Sequence, residues 1–490
     1  MNGKLKGIII GGVAVVCLSA AALVLNITDK SKGDSSSEAD SSSAISEQEE
    51  KIAIINSSAE QIKSVEISNS HGKYAVARPE SGKSSWEIAE LEGLNQTVDS
   101  EKKLIETAAS LEAEKIAEEN TSDLKKYGLT NPKGEFTVNF TDGKNITLLV
   151  GNETPDTSVK SRYVCEKGQN KVYVVKKYSI DDFLESKEEY INTTLIETPD
   201  EVDNYGKMTI SRPDLDSDIV IQNDNVNKTD EISAQIMVKP IFSYLNGSTS
   251  ANITHGLWGI SADEAVKIFP EESDFKKYGI SEPTATVTYK SSDESYVLKI
   301  GKAIYTENDN GKKNTVPSSY YCYLEGITGG DCIWKISEDK LPWATTKPED
   351  IITTLMTYNN INDVKTLKVE KSGTVTEYKL TAKDGEFNSA TLNGEKLKSD
   401  EFKNFYQYFL TCPTTEIWYK EPAGEKFMTI EVTAADNAKD TLEFYKDTSQ
   451  RKAVVKLNGS TSFRIPMDWT EKFEKNMDAL KNGGNIVVSY

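Results

Sequence analysis

Histidine is scarce in this sequence, and cysteine is scattered. The 490 residues hold two histidines, His71 and His255, far apart in the chain. Five cysteines are scattered without a Cys-x-x-Cys pair. A zinc site built from His and Cys is therefore not expected. Positive charge is also short, with 57 Lys and Arg against 77 Asp and Glu, a net charge of −20. Nucleic-acid binding needs clustered Lys and Arg to neutralise phosphates, so it is not expected either. The same deficit argues against a polybasic grip on anionic lipid. Hydrophobic content is 37%, yet 22 Tyr, 14 Phe and 6 Trp can build a core. The length suggests about three domains of ~150 residues.

Long apolar runs are absent but for one. From Gly7 to Leu25 the only strongly polar side chain is Ser19. At ~1.5 Å per residue this run matches a hydrocarbon core of about 30 Å. Lys4 and Lys6 precede it, and the segment after it is acidic. The positive-inside rule then places residues 1–27 as a cytoplasmic N-terminus and transmembrane anchor, with the rest outside the cytoplasm. A cleaved signal peptide would use Ala20-Ala21-Ala22, but the apolar run continues through Leu25. A lipoprotein would need a small residue before Cys17, where Val16 stands. Residues 28–50 are Ser-rich and acidic, the composition of a disordered tether.

The body carries an internal repeat. Asp123-Leu-Lys-Lys-Tyr127-Gly128-Leu129-Thr-Asn-Pro132 recurs as Asp274-Phe-Lys-Lys-Tyr278-Gly279-Ile280-Ser-Glu-Pro283. This block reads as a helix end: Lys in the last turn, Gly in a left-handed position, an apolar residue, then Pro. Period-two alternation follows around a polar turn, a β-hairpin whose second strand ends at Gly151 or Gly301. Tyr163-Val164-Cys165 parallels Tyr320–Cys322, which places Cys165 and Cys322 at equivalent positions. Val172–Val175 parallels Ile333–Ile336, and Ile191–Ile196 parallels Ile351–Met356. Helices are expected over Ser100–Glu119, near Ile180–Tyr190, around Ser261–Phe269 and over Ser399–Leu410. The expected class is α+β: a transmembrane helix, then three related units of antiparallel sheet with packed helices. Their boundaries are 51–198, 199–358 and 359–490, the third diverged, with Trp418-Tyr-Lys-Glu-Pro422 in place of the Tyr-Gly motif. The third unit is near neutral, while the first two hold most of the negative charge, which favours the third as the docking unit.

The ordered motifs resemble the bacterial family of domains of unknown function numbered 4340 (DUF4340). They are the Gly7–Leu25 anchor, Trp86 in an early strand, the helix, Tyr127-Gly128-Leu129 with Pro132, Gly151, and Tyr163-Val164. The second unit shares Tyr278-Gly279-Ile280 and Pro283, with Ile for Leu and no early Trp. The resemblance implies a companion of ABC-type export systems of the gliding-motility kind and supplies no catalytic residues.

Candidate chemistry is sparse. His71 and His255 have no Ser, Cys or carboxylate partner at motif spacing. Asp214-Leu-Asp-Ser-Asp218 alternates oxygen ligands as a calcium loop does, but lacks its Gly and terminal Glu. Cys322 and Cys332 flank the Gly326–Gly330 turn, where they would form a disulfide if they face each other. No cofactor or enzyme activity is expected. The function expected is an extracytoplasmic accessory or scaffold protein, partnered by a permease and ATPase or other envelope proteins. The alternative is an envelope ligand-binding protein for wall polymer or peptide.

Overall fold

Alternating apolar residues dominate the body, and the chain answers with sheets. A computed structural model describes residues 52–490 except 79–84, 156–159, 201–204, 225–234, 309–310, 354, 415 and 448–450. The anchor and tether read over residues 1–50 lie outside the described residues.

Among the described residues, three large antiparallel sheets share one plan. In spatial order the first runs Glu87–Ile88, Gly72–Ala77, Ile62–Asn69, Gly134–Phe140, Asn145–Glu153, Ser161–Glu166, Val172–Lys176 and Lys115–Glu118. The second runs Ser243–Tyr244, Gln235–Lys239, Ile219–Asn223, Lys207–Ser211, Ala285–Lys290, Ser295–Ile304, Ser319–Glu325, Cys332–Ser337 and Glu264–Ile268. The third runs Glu395–Lys396, Glu386–Leu392, Thr374–Lys383, Val364–Lys371, Lys426–Ala434, Lys439–Asp447, Lys452–Leu457 and Ser460–Pro466. Each is a first meander read backwards and a second read forwards, joined at a central antiparallel pair. In the first two sheets an extra strand closes the far edge by pairing with the last strand of the meander. The third sheet keeps a remnant of it. Ile417 bridges Phe463, Trp418 N–H donates to Ser462 O, and Arg464 N–H donates to Glu416 O.

The described residues include six α-helices: α1 (Val98–Ala109), α2 (Gly247–His255), α3 (Glu272–Tyr278), α4 (Pro348–Ile351), α5 (Ser399–Leu410) and α6 (Met467–Asn482), of which α1, α5 and α6 pack on strands. Helix α5 spans the expected residues. Its buried Phe402, Phe405, Tyr406 and Phe409 recur every three or four residues, so one stripe faces the third sheet. Helix α6 lays Trp469 and Phe473 onto the same core, with Trp469 stacked on Tyr408 at 5.8 Å.

The other helix expectations need correction. The stretch Ser100–Glu119 is helical only to Ala109. Leu111 and Ala113 then alternate with exposed Ser110 and Glu112, and the chain becomes a strand. Ile180–Tyr190 forms short 3-10 turns, interrupted at Ser186, whose backbone is extended. Ser261–Phe269 contains the edge strand Glu264–Ile268, because Glu264 pairs across the ladder with Lys335. The helices of that region lie on either side of it.

Residues 51–490 form one compact unit. The repeated segment Ile191–Ile196 explains the first seam. Ile191 bridges Gln96 at the foot of α1, and Thr97 N–H donates to Tyr190 O. Farther on, Thr194 bridges Ser261, and Ala262 N–H donates to Thr193 O. The exit of the first unit thus lies beside the second unit's edge strand. Its counterpart repeats the opening move: Ile352 bridges Leu245, and Asn246 N–H donates to Ile351 O. The first unit receives an incoming strand too. Ile52–Asn56 pairs with Ser110–Ala113, just ahead of the edge strand Lys115–Glu118.

A buried carboxylate fastens the second seam. Asp440, fully buried in the third sheet, accepts from Tyr244 of the second sheet and from Thr357 Oγ1 at 2.5 Å. Asn359 Nδ2 at 3.1 Å and Asn458 Nδ2 at 2.9 Å also donate to it. Burial and the Asp440 charge together push the Tyr244 phenol far above its ordinary pKa. A buried carboxyl group in this position is tolerable because its oxygens meet donors.

Candidate functional site

The repeated motif residues form a brace. Gly128 and Gly279 adopt φ of +72° and +78°, ending a 3-10 turn in the first unit and α3 in the second. These left-handed caps turn Leu129 and Ile280 inward, where both are buried. After Pro132 and Pro283 the next residues enter the sheet, Lys133 N–H donating to Val150 O and Thr284 N–H to Ile300 O. Gly151 and Gly301 lie inside their strands at irregularities in the ladder, and the strands continue to Glu153 and Ile304. The expectation that these glycines end the strands is corrected accordingly. Their role is close approach. A Cβ at Gly151 would lie 2.3 Å from Tyr127 O, and one at Gly301 would lie 2.5 Å from Tyr278 O.

The tyrosines complete the brace. Tyr127 meets the ring of Tyr163 edge-on at 4.7 Å, and Tyr278 meets Tyr321 in the same way at 4.7 Å. Tyr127 Oη donates to Glu118 Oε2 at 2.7 Å, so the turn is tied to the edge strand. The neighbouring Glu118 carboxylate, then desolvation, raise the Tyr127 pKa. The ring pairing also corrects the repeat alignment. Val164 pairs with Val150 and Cys322 with Ile300, so Cys322 occupies the place of Val164, not of Cys165. One residue reverses the face of a strand. Cys165 therefore sits in a small cluster with Tyr127, Leu129 and Val172, while Cys322 lies in the main core.

The Cys322–Cys332 disulfide is a further correction. All four described cysteines are free and buried. Cys322 pairs with Trp334, which leaves Cys332 two residues along its strand, opposite Ile268. Desolvation pushes both thiols up, Cys332 to about 12.

The structure opens a cavity of about 310 Å³ between the first two sheets. Its walls are the turn at His71, the segment Ser186–Thr193, and Asp263 with the edge-strand residues Glu264–Val266 that follow it. Four carboxylates line it, Glu188, Glu189, Asp263 and Glu264. Lys340 lies 3.4 Å from Asp263, Lys335 3.4 Å from Glu264 and Lys187 3.4 Å from Glu188. Ser337 Oγ donates to Asp263 at 2.7 Å. The sequence marks out His71 and the acidic pair Glu188-Glu189, with nothing in it to join them to Asp263 and Glu264. The carboxylates come from different units, and only the seam between the sheets brings them together.

His255 stands elsewhere. Its Nδ1 lies 2.7 Å from Thr254 Oγ1, and its ring leans on Tyr205 and Trp258. Partial desolvation there lowers its pKa. Thr254 Oγ1 also lies 3.1 Å from Ser250 O, as a helical hydroxyl bonded to the preceding turn does. Asp214 is held by Arg212, whose guanidinium also donates to Thr346 O at 2.7 Å. That ion pair occupies the first ligand position of the calcium-like run. Among the described residues, no cluster of three His, Cys, Asp or Glu could hold a metal ion. The aromatic side chains Tyr320, Trp334, Trp343, Phe405 and Phe409 lie in the core.

The early strand at Trp86, α1, the brace and the shared seam are the features by which the chain can be compared with others. Residues 86–257 match the family described as domain of unknown function (DUF4340). The DUF4340 match begins at Trp86, beside the edge strand Glu87–Ile88, and ends within the second unit, after α2. It includes Tyr127, Gly128, Leu129, Pro132 and Gly151, and stops before the second copy of that brace. It supports the resemblance read from the motifs. No curated protein and no solved structure matches the chain.

Proposed function

We propose that the chain is a membrane-anchored extracytoplasmic accessory or scaffold protein of an ABC-type export or gliding-type complex, acting through protein–protein contact. The reading rests on how the distinctive side chains are engaged. Tyr127, Gly128, Gly151 and their repeats hold turns against strands, and Asp440 fastens a seam. The apolar Gly7–Leu25 run supports the anchor. Among the described residues, no helix is long and apolar enough to cross a membrane, so that run alone would carry the attachment.

Purification of the full chain from detergent tests the proposal. A permease and ATPase are expected to co-purify at constant ratio, and repeated recovery of the chain without them would overturn it. The acidic cavity favours a second reading, an envelope protein that binds wall polymer or peptide through cationic groups. Salt-sensitive binding to isolated cell wall would support that alternative.

A further inference from the structure

We propose that Glu101, Thr97 and the Tyr190 carbonyl form a proton-controlled latch on the segment that walls the cavity between the first two sheets. Glu101 lies in the first turns of α1 and is fully buried. Its Oε1 has no hydrogen-bond partner in the protein, and its Oε2 lies 3.3 Å from Thr97 Oγ1. Thr97 precedes the helix, but its hydroxyl does not cap it. That hydroxyl lies 3.3 Å from both Glu101 Oε2 and Tyr190 O. Thr97 N–H also donates to Tyr190 O, at 2.9 Å.

A threonine hydroxyl carries one proton, so it can serve one acceptor fully. When Glu101 is ionised, its carboxylate takes that proton and Tyr190 O keeps only the amide. When Glu101 is protonated, it donates to Thr97 Oγ1, and the threonine proton passes to Tyr190 O. Protonation therefore adds a hydrogen bond to the carbonyl holding Lys187–Tyr190 against α1. This segment places Glu188 and Glu189 in the cavity wall, and Ile191 follows it in the bridge to Gln96.

Burial favours the neutral acid, against the Glu101 backbone N–H and the Thr97 hydroxyl, which favour the carboxylate. The charge that acts on Glu101 is Glu87, which is also acidic. Tyr190 is flanked by Tyr74 and Asp182, and Tyr74 in turn by Glu185, Asp182 and Glu188. Desolvation is the largest influence and raises Glu101 to about 7. Local opening hydrates the carboxyl and returns it toward its ordinary value of 4.5. Closure thus weakens as pH rises between those values, and the latch holds better in mild acid.

Hydrogen exchange of the full chain tests this, followed over residues 186–196 at pH 6 and pH 8 and corrected for intrinsic rates. Lys426–Ala434 of the third sheet serves as the internal reference. The linkage gives about tenfold more frequent opening at pH 8. Glu101→Gln should abolish the difference while leaving His71 in place at the cavity. Thr97→Val is the second variant: it removes the bond from the hydroxyl to Tyr190 O, so protection of the segment at pH 6 should fall. Equal protection of the wild-type segment at both pH values would overturn the proposal. So would a Glu101→Gln protein that retains the tenfold change.

Discussion

Adding one methyl group at Gly151 should displace the first Tyr-Gly brace. The new Cβ would lie 2.3 Å from Tyr127 O and 3.1 Å from Leu129. Backbone cannot yield as a flexible side-chain end does, so the turn must move outward by about 1 Å to reach ordinary contact distance. Overpacking of this kind costs about 2 kcal/mol. The melting shift then reports cooperativity. Unfolding entropy is about 2.1 cal/mol/K per residue, so a unit of ~150 residues melting alone would lose about 6 °C. The whole body melting together would lose about 2 °C. Gly301→Ala, where the contact is 2.5 Å to Tyr278 O, should behave alike. The assay is calorimetry of the wild-type and both alanine variants. Unchanged melting in both would refute the close-approach argument.

Three other outcomes follow from the core and the seams. Asp440→Ala removes the acceptor for Tyr244, Thr357, Asn359 and Asn458 and should cost about 3–5 kcal/mol in denaturant unfolding, as other broken buried charge networks do. Phe473→Ala opens a cavity beneath Trp469 and Phe405 and should cost about 3–5 kcal/mol, with a matching fall in denaturation midpoint. Cys165, Cys322, Cys332 and Cys412 should resist alkylation in the native protein and react once it is denatured, with no mass change on reduction of the Cys322–Cys332 region.

Strands and hairpins were legible because alternation over four or more residues leaves few alternatives. Lys207–Ile210, Thr366–Glu370 and Phe427–Val432 all lie within strands. Helix α5 was legible for the matching reason, an aromatic stripe at helical spacing. Helix α6 carries a similar stripe, Trp469, Phe473 and Leu480, which could have been found by the same count. Ser261–Phe269 was not legible. A short run with Ala262, Ala265 and Ile268 suits either period, and the choice is made by an edge of the sheet that only the fold supplies. The acidic cavity was hidden for a related reason. His71, Glu188 and Glu264 belong to segments far apart in the chain, so no spacing in the sequence joins them. Asp440 was hidden too, since a charged residue at the start of a strand ordinarily faces water.

The incoming strands have a consequence for how the protein is made. Thr193–Ile196 leaves the first unit and lies alongside the segment that opens the second unit's edge strand, while Ile52–Asn56 pairs with the corresponding segment of the first. In both cases the lender is upstream of the borrower. A chain emerging from its N-terminus onward thus has each completing segment already outside when the unit that needs it appears. Assembly can advance in the direction of synthesis, and a truncation starting at residue 199 would strand the second unit without its lender.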